Sequence, residues 1–187
     1  MLKDGAKWVI LHAFPDRSSD RHQTHQQGYE CVLFLGEYEH VIDAKQRLAI
    51  PAEVRDVFNP EQHGAAFIAA PGGDSLLLWP ERTFQNIAAE LQGSMLGDSE
   101  FGAYERRIFS KSARLTMDAA GRIRIPERLL SEHGLSGKAI VLGIGDHLEV
   151  IAPDRWERSR EDLEPMNGNI WNRARRNVAS RQNGSES

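Results

Sequence analysis

The stretch DAKQRLAIP, from Asp43 to Pro51, returns as DAAGRIRIP, from Asp118 to Pro126. Asp43 matches Asp118, Arg47 matches Arg122, Ile50 matches Ile125 and Pro51 matches Pro126, at a constant offset of 75. A short amphipathic stretch follows each copy, and then two apolar runs split by a turn. In the first copy the runs are AAFIAA and SLLLW, around Pro71, Gly72, Gly73 and Asp74. In the second they are KAIVLG and HLEVIA, around Ile144, Gly145 and Asp146. The exits also agree, PERTF at Pro80 against PDRW at Pro153. A unit present twice predicts a duplicated small domain.

Within each unit the local chemistry is legible. Tyr38, His40 and Ile42 in FLGEYEHVID alternate in strand fashion. A turn at Ala44, Lys45 and Gln46 leads into a second strand, closed by Pro51. Asp43 is suited to accept hydrogen bonds from the backbone of that turn, and Asp118 from its twin. Gly121 tolerates positive φ at no steric cost. Gln46 stands at the same place in the first copy, so that turn is expected to be more strained or differently shaped. Pro51 and Pro126 suit helix starts, so AEVRDVF and ERLLSEHG read as short helices, the second stopped by Gly134. The paired apolar runs read as hairpins. Between the copies, Phe84, Ile87, Ala88 and Leu91 fall at helical spacing. A break at Gly97 and a second helix from Ser99 to Ile108 follow.

Strand alternation sends Leu48 and Ile50 to one face, and Ile123 and Ile125 in the other copy. Arg47, and Arg122 with Arg124, then project from the opposite face. Two related hairpins side by side would present these arginines together. A lone Asp-x-x-x-Arg most often marks an ion pair that staples a turn on a solvated surface. Recurrence in both copies, with Ile-Pro at the same distance, shifts the reading towards a presented pair of arginines.

Composition sets the outer bounds. The chain has 187 residues, 40% of them hydrophobic and 27% charged, as expected of a soluble domain or two halves sharing a core. Cys31 is the only cysteine, which excludes an intrachain disulfide and suits a reducing compartment. No stretch approaches the ~20 apolar residues of a membrane helix. The run WVIL is too short for a signal-peptide core, so a cytoplasmic location is expected. The net charge of −4 weighs mildly against nucleic acid. The charge is uneven, however. Arg106, Arg107, Lys111, Arg114, Arg122, Arg124 and Arg128 face only Asp118 and Glu127 over their span, which leaves room for a local basic surface.

Other motifs carry less. His22 and His25 lie in a polar N-terminal segment without an accompanying thiolate cluster, so no metal is implied. His40, His63, His133 and His147 do not recur between the copies. The GGD run at Gly72 lacks the Gly-Lys-Ser/Thr ending of a phosphate loop, and no serine sits in a Gly-x-Ser-x-Gly setting. No catalytic constellation, cofactor or enzymatic step is expected.

FLGEYEHVIDAKQRLAIP with the second DAAGRIRIP resembles the MraZ family, tandem-repeat members of the SpoVT/AbrB superfamily of bacterial transcription factors. The resemblance covers about residues 34–156. It implies an α+β fold of two tandem swapped-hairpin AbrB-like repeats, an intrachain pseudo-dimer with a shared β-barrel-like core and flanking short helices. The implied organisation is an N-terminal extension at 1–33 read as disordered, a first repeat at 36–83 and connecting helices at 84–110. A second repeat at 112–155 and a C-terminal helix and polar tail at 156–187 complete it. It implies double-stranded DNA as partner, read as short direct repeats by a ring-like homo-oligomer. The role implied is a nucleoid-associated repressor of the division and cell-wall gene cluster, its own promoter included. Carried over singly, Arg47 and Arg122 match the motif arginines, with Lys45, Arg55 and Arg124 as supporting contacts. Asp43, Asp118 and Gly121 match the turn-organising positions. Leu130 stands where Arg55 has its counterpart, and Gln46 replaces the usual glycine, so both are departures. The extension before Val32 is another, and raises translation from near Val32 as an expectation. The alternative implied by the superfamily is an antitoxin-like protein-interaction module using a tail that contains Trp171.

Overall fold

The repeated motif folds the same way twice. In the computed structural model, which describes residues 32–94 and 99–163, β1 (Glu37–Val41) turns at 44–46 into β2 (Arg47–Ala49). After the helices α1 (Ala52–Val57) and α2 (Pro60–His63) comes a hairpin of β3 (Ala66–Gly72) and β4 (Ser75–Pro80). The connecting helices are α3 (Glu81–Ser94) and α4 (Ser99–Lys111). The series then repeats with β5 (Ala113–Thr116), β6 (Arg122–Arg124), α5 (Glu127–His133), β7 (Lys138–Ile144) and β8 (His147–Ile151), and closes on α6 (Pro153–Leu163). The fold is mixed α+β. The expectations for residues 1–31, for Gly97 and for the tail with Trp171 lie outside the described residues.

Both hairpins close through a two-residue loop of glycine and aspartate. Gly72 pairs Ser75 across Gly73 and Asp74, and Ile144 pairs His147 across Gly145 and Asp146. Gly73 and Gly145 take φ of 77° and 72°, a left-handed conformation that favours glycine.

The strands pair across the repeats. The antiparallel six-stranded sheet runs β1-β7-β8-β4-β3-β5. Thus β1 of the first repeat lies against the hairpin of the second, and β5 of the second lies against the hairpin of the first. The two hairpins meet at the centre, where Leu77 faces Glu149 and Leu78 faces Leu148. A second, two-stranded sheet joins β2 to β6. Its register sets Leu48 opposite Ile123, and both are completely buried. Reciprocal backbone bonds extend it at either end, Ile50 N–H to the Gly121 carbonyl and Ile125 N–H to the Gln46 carbonyl, each 2.9 Å. These are equivalent residues in the two copies, so a local two-fold axis passes between Leu48 and Ile123.

One apolar core serves both repeats. Phe34 and Phe67 are buried together with ring centroids 6.3 Å apart, and Leu48, Ile123 and Val141 belong to the same cluster. On the opposite face of the β7–β8 hairpin, Trp156 of α6 covers Ile140, Leu142 and Ile151. The helices α3 and α4 meet through an edge-on Phe84–Phe109 contact at 5.9 Å. The second connecting helix runs to Lys111, three residues past the expected Ile108, because Ser112 still bonds the Ile108 carbonyl. Among the described residues no helix is long and apolar enough to cross a membrane.

Candidate nucleic-acid interface

Each motif turn is organised by its aspartate. Asp43 Oδ1 accepts from the backbone N–H of Lys45 at 2.8 Å and of Arg47 at 2.9 Å. Asp118 Oδ1 accepts from Ala120 at 2.9 Å and Arg122 at 3.0 Å. The other carboxylate oxygen receives the arginine side chain. Arg47 Nε and Nη2 lie 2.8 and 2.6 Å from Asp43 Oδ2, and Arg122 Nε and Nη2 lie 3.0 and 2.9 Å from Asp118 Oδ2. Hydrogen bonding from Arg47 holds the Asp43 carboxyl at about 2, and Arg122 lowers that of Asp118 in the same way. Bonding to Asp43 in turn raises Arg47, with the charge of Asp118 adding to it.

This geometry leaves each guanidinium with work to do. The side edge, Nε with one hydrogen of Nη2, is occupied by the carboxylate. The end edge, Nη1 with the other hydrogen of Nη2, is the fork that fits paired acceptors such as guanine O6 and N7. The turn therefore fixes the arginine and leaves its end edge without a hydrogen-bond partner among the described residues.

The arginines share one face. With Leu48 and Ile123 turned into the core, Arg47, Ala49, Arg122 and Arg124 stand on the outer side of the β2–β6 ribbon. Arg47 is directly opposite Arg124, and Arg122 directly opposite Ala49. Lys45 is exposed at the first turn. Arg55 comes from α1 of the first repeat and lies across the turn of the second: a Cβ on Gly121 would come within 2.6 Å of its Cδ. Five cations from both repeats thus gather on the ribbon and its turns, two of them neutralised by aspartates.

The wider basic run is distributed differently. Lys111 pairs with Glu132 at 3.0 Å, and Arg114 with Glu81 at 2.6 Å. Arg128 donates to the carbonyls of Lys111 and Ser112 at the end of α4. These side chains tie α3 to β5 and α4 to α5 instead of joining the ribbon. Three histidines are also structural. His63 Nδ1 accepts from Asn59 N–H, His133 bonds the Leu129 carbonyl, and His147 stacks on Trp79 with centroids 4.0 Å apart.

Two contacts at the ribbon were not read from the sequence. Gln46 adopts φ of 64° and keeps the turn of its glycine counterpart, so it is strained and not reshaped. Its amide donates to Glu127 of the other repeat. The signal was present in paired departures between the copies: Gln46 goes with Glu127 where the other copy has Gly121 and Ala52. Likewise Gly121 goes with Arg55, while Leu130, the counterpart of Arg55, is buried in the core.

With that geometry in hand, comparison with known proteins is decisive. A family described as "MraZ protein, putative antitoxin-like" matches residues 33–100 and again 108–174. The chain belongs to the MraZ family. Its relatives include the transcriptional regulator MraZ of Roseiflexus sp. strain RS-1, 38% identical over 67% of this chain and 85% of that protein. The transcriptional regulator MraZ of Ligilactobacillus salivarius is 33% identical over 71% of this chain and 90% of its own length. That of Alkaliphilus metalliredigens is 32% identical over 75% and 96%. The double match of the MraZ family reproduces the internal repeat seen in strand pairing and turn chemistry.

Proposed function

We propose that this chain is a transcription regulator that binds DNA sequence-specifically through the β2–β6 ribbon and performs no enzymatic step. The observation that carries this reading is the paired Asp–Arg geometry, which fixes Arg47 and Arg122 on one face with their end edges open. The names of the MraZ relatives support it. Arg47 and Arg122 read base edges, and Lys45, Arg55 and Arg124 supply phosphate or further base contacts. Asp43 and Asp118 orient the arginines; a carboxylate placed against phosphate would be repelled. The exchange of β1 and β5 between hairpins supports a swapped-hairpin arrangement with a barrel-like core, in which the chain acts as its own dimer.

The same reading includes oligomeric binding to short direct repeats and repression of the division and cell-wall gene cluster. One ribbon makes few contacts, and a few phosphate contacts alone bind weakly. Linking several ribbons in a ring raises affinity for an array of repeats by ~10²–10⁴ without a new contact type. The helices α3 and α4 are candidates for building that ring.

The test is affinity for the DNA upstream of the protein's own gene, at one salt concentration. Arg47→Ala and Arg122→Ala should each weaken binding while leaving the protein folded. Unchanged affinity in both single variants and the double variant would sink the reading. For the avidity part, equal affinity for one repeat and for three is the contrary outcome.

A further inference from the structure

The ribbon is two-fold symmetric in its backbone and core, but not in what it shows to the outside. A symmetric ribbon would present the same side chains at both ends. Its partner would then be read the same way in either direction, as symmetric protein dimers read palindromes. Here the equivalent of Arg124 is Ala49. The first end therefore carries Lys45, Arg47 and, across the strand, Arg124; the second carries Arg122 opposite an alanine. The second end receives its extra cation from a helix instead, as Arg55 over Gly121, while the corresponding position at the first end is the buried Leu130.

Arg124 is not held in place by the fold. It is exposed, and no hydrogen bond or ion pair of its side chain occurs among the described residues. Its cross-strand neighbour is Arg47, whose charge is balanced by Asp43. An exposed cation with no carboxylate partner among the described residues can engage an anionic or acceptor-rich ligand.

We propose that Arg124 gives the DNA contact its direction: with Arg47 it makes an end where two arginines stand directly opposed on the strands, which reads its half of the bound element more stringently than the other end, where Arg122 faces Ala49 and is joined only by the helix-borne Arg55. This rests on the DNA-binding reading above and adds to it a polarity and the residue that sets it. Arg47, pinned by Asp43, supplies a fixed fork, and Arg124, unpinned, reaches the neighbouring base pair. The element bound by one chain is then non-palindromic, and its orientation on the protein is fixed.

The experiment uses the full chain and a duplex selected by the wild-type protein from a random-sequence pool. Affinities are measured for single base-pair changes along both halves, at one salt concentration. Arg124→Ala should lower affinity for the selected duplex about tenfold and flatten the base preference in one half only. The double variant Ala49→Arg with Arg124→Ala should recover affinity, with the stringent half moved to the other side. Thermal unfolding and light scattering should match the wild type in all variants. Equal loss in both halves, uniform loss over all sequences, or no loss after Arg124→Ala overturns the polarity. Arg47→Ala and Arg122→Ala separate the two levels: if they weaken binding while Arg124→Ala behaves in one of those ways, only the polarity falls. If no sequence is enriched, or neither variant has an effect, the DNA-binding reading falls with it.

Discussion

The turn at 44–46 and the turn at 119–121 have one hydrogen-bond pattern and different means of reaching it. In the second, Gly121 takes φ of 74° without strain and leaves room for Arg55. In the first, Gln46 is forced to φ of 64° and donates across the axis to Glu127. A non-glycine residue in this conformation costs on the order of 1–2 kcal/mol. The turn keeps its shape all the same, because the aspartate carboxylate and the β2–β6 bonds grip it on both sides. The comparison teaches that the aspartate, and not the glycine, defines the turn; the residue at the left-handed position is left to decide what packs above it.

The largest effects should come from beneath the turns, where the two halves are alike. Leu48→Ala and Ile123→Ala should each cost about 2–5 kcal/mol in urea unfolding, since both side chains are fully buried at the axis. Similar costs would mean that the copies are equivalent in the core and differ only outside. A wide gap between the two would break the comparison at its root.

Smaller effects should separate the turns themselves. Gly121→Ala should cost about 1 kcal/mol from the left-handed backbone. Part of any further cost should vanish in the Arg55→Ala background, where the crowding side chain is gone. Gln46→Gly should relieve strain but lose the bond to Glu127, and should therefore stabilise more in a Glu127→Ala background than in the wild type. A double-mutant cycle by thermal unfolding reads that difference. An identical effect in both backgrounds would show that the cross-repeat bond offsets nothing.

The smallest effect is confined to acid. Folding lowers the pKa of both aspartates, so their contribution is complete above the ordinary carboxylate value of about 4. It is lost as pH falls through the folded values, which for Asp43 is about 2. Asp43→Asn keeps an acceptor for the turn but should remove the first turn's share of this acid loss. An unchanged acid unfolding profile in Asp43→Asn would show that the carboxylate charge is irrelevant to the turn.

Much of this was legible in the residues because the chain states it twice. The Asp-x-x-x-Arg turns, the strands before and after them and the glycine–aspartate hairpins are local structures, set by residues a few positions apart. The reach of β1 to the other repeat's hairpin is not local. Nothing in Glu37–Val41 says whether its partner is Ala66–Gly72 or Lys138–Ile144, since both are apolar runs of equal length. The candidate interface was legible to the same degree. Alternation gave the facing of Arg47, Arg122 and Arg124, while the opposition of Arg47 to Arg124 depends on a register between distant strands. The basic run from Arg106 onward was legible only as composition, which does not tell an unpaired cation from one that pairs with Glu81 or Glu132, or caps a helix as Arg128 does.

The exchange of strands between the repeats has a consequence for inheritance. In a pair of identical subunits, every substitution appears twice, on both sides of the axis at once, and must be tolerated in both places. Here one chain encodes both sides, so a change at one is passed on without its mirror image. Gln46 could arise beside Glu127 while Gly121 stayed beneath Arg55, and Arg124 could face Arg47 while Ala49 stayed small.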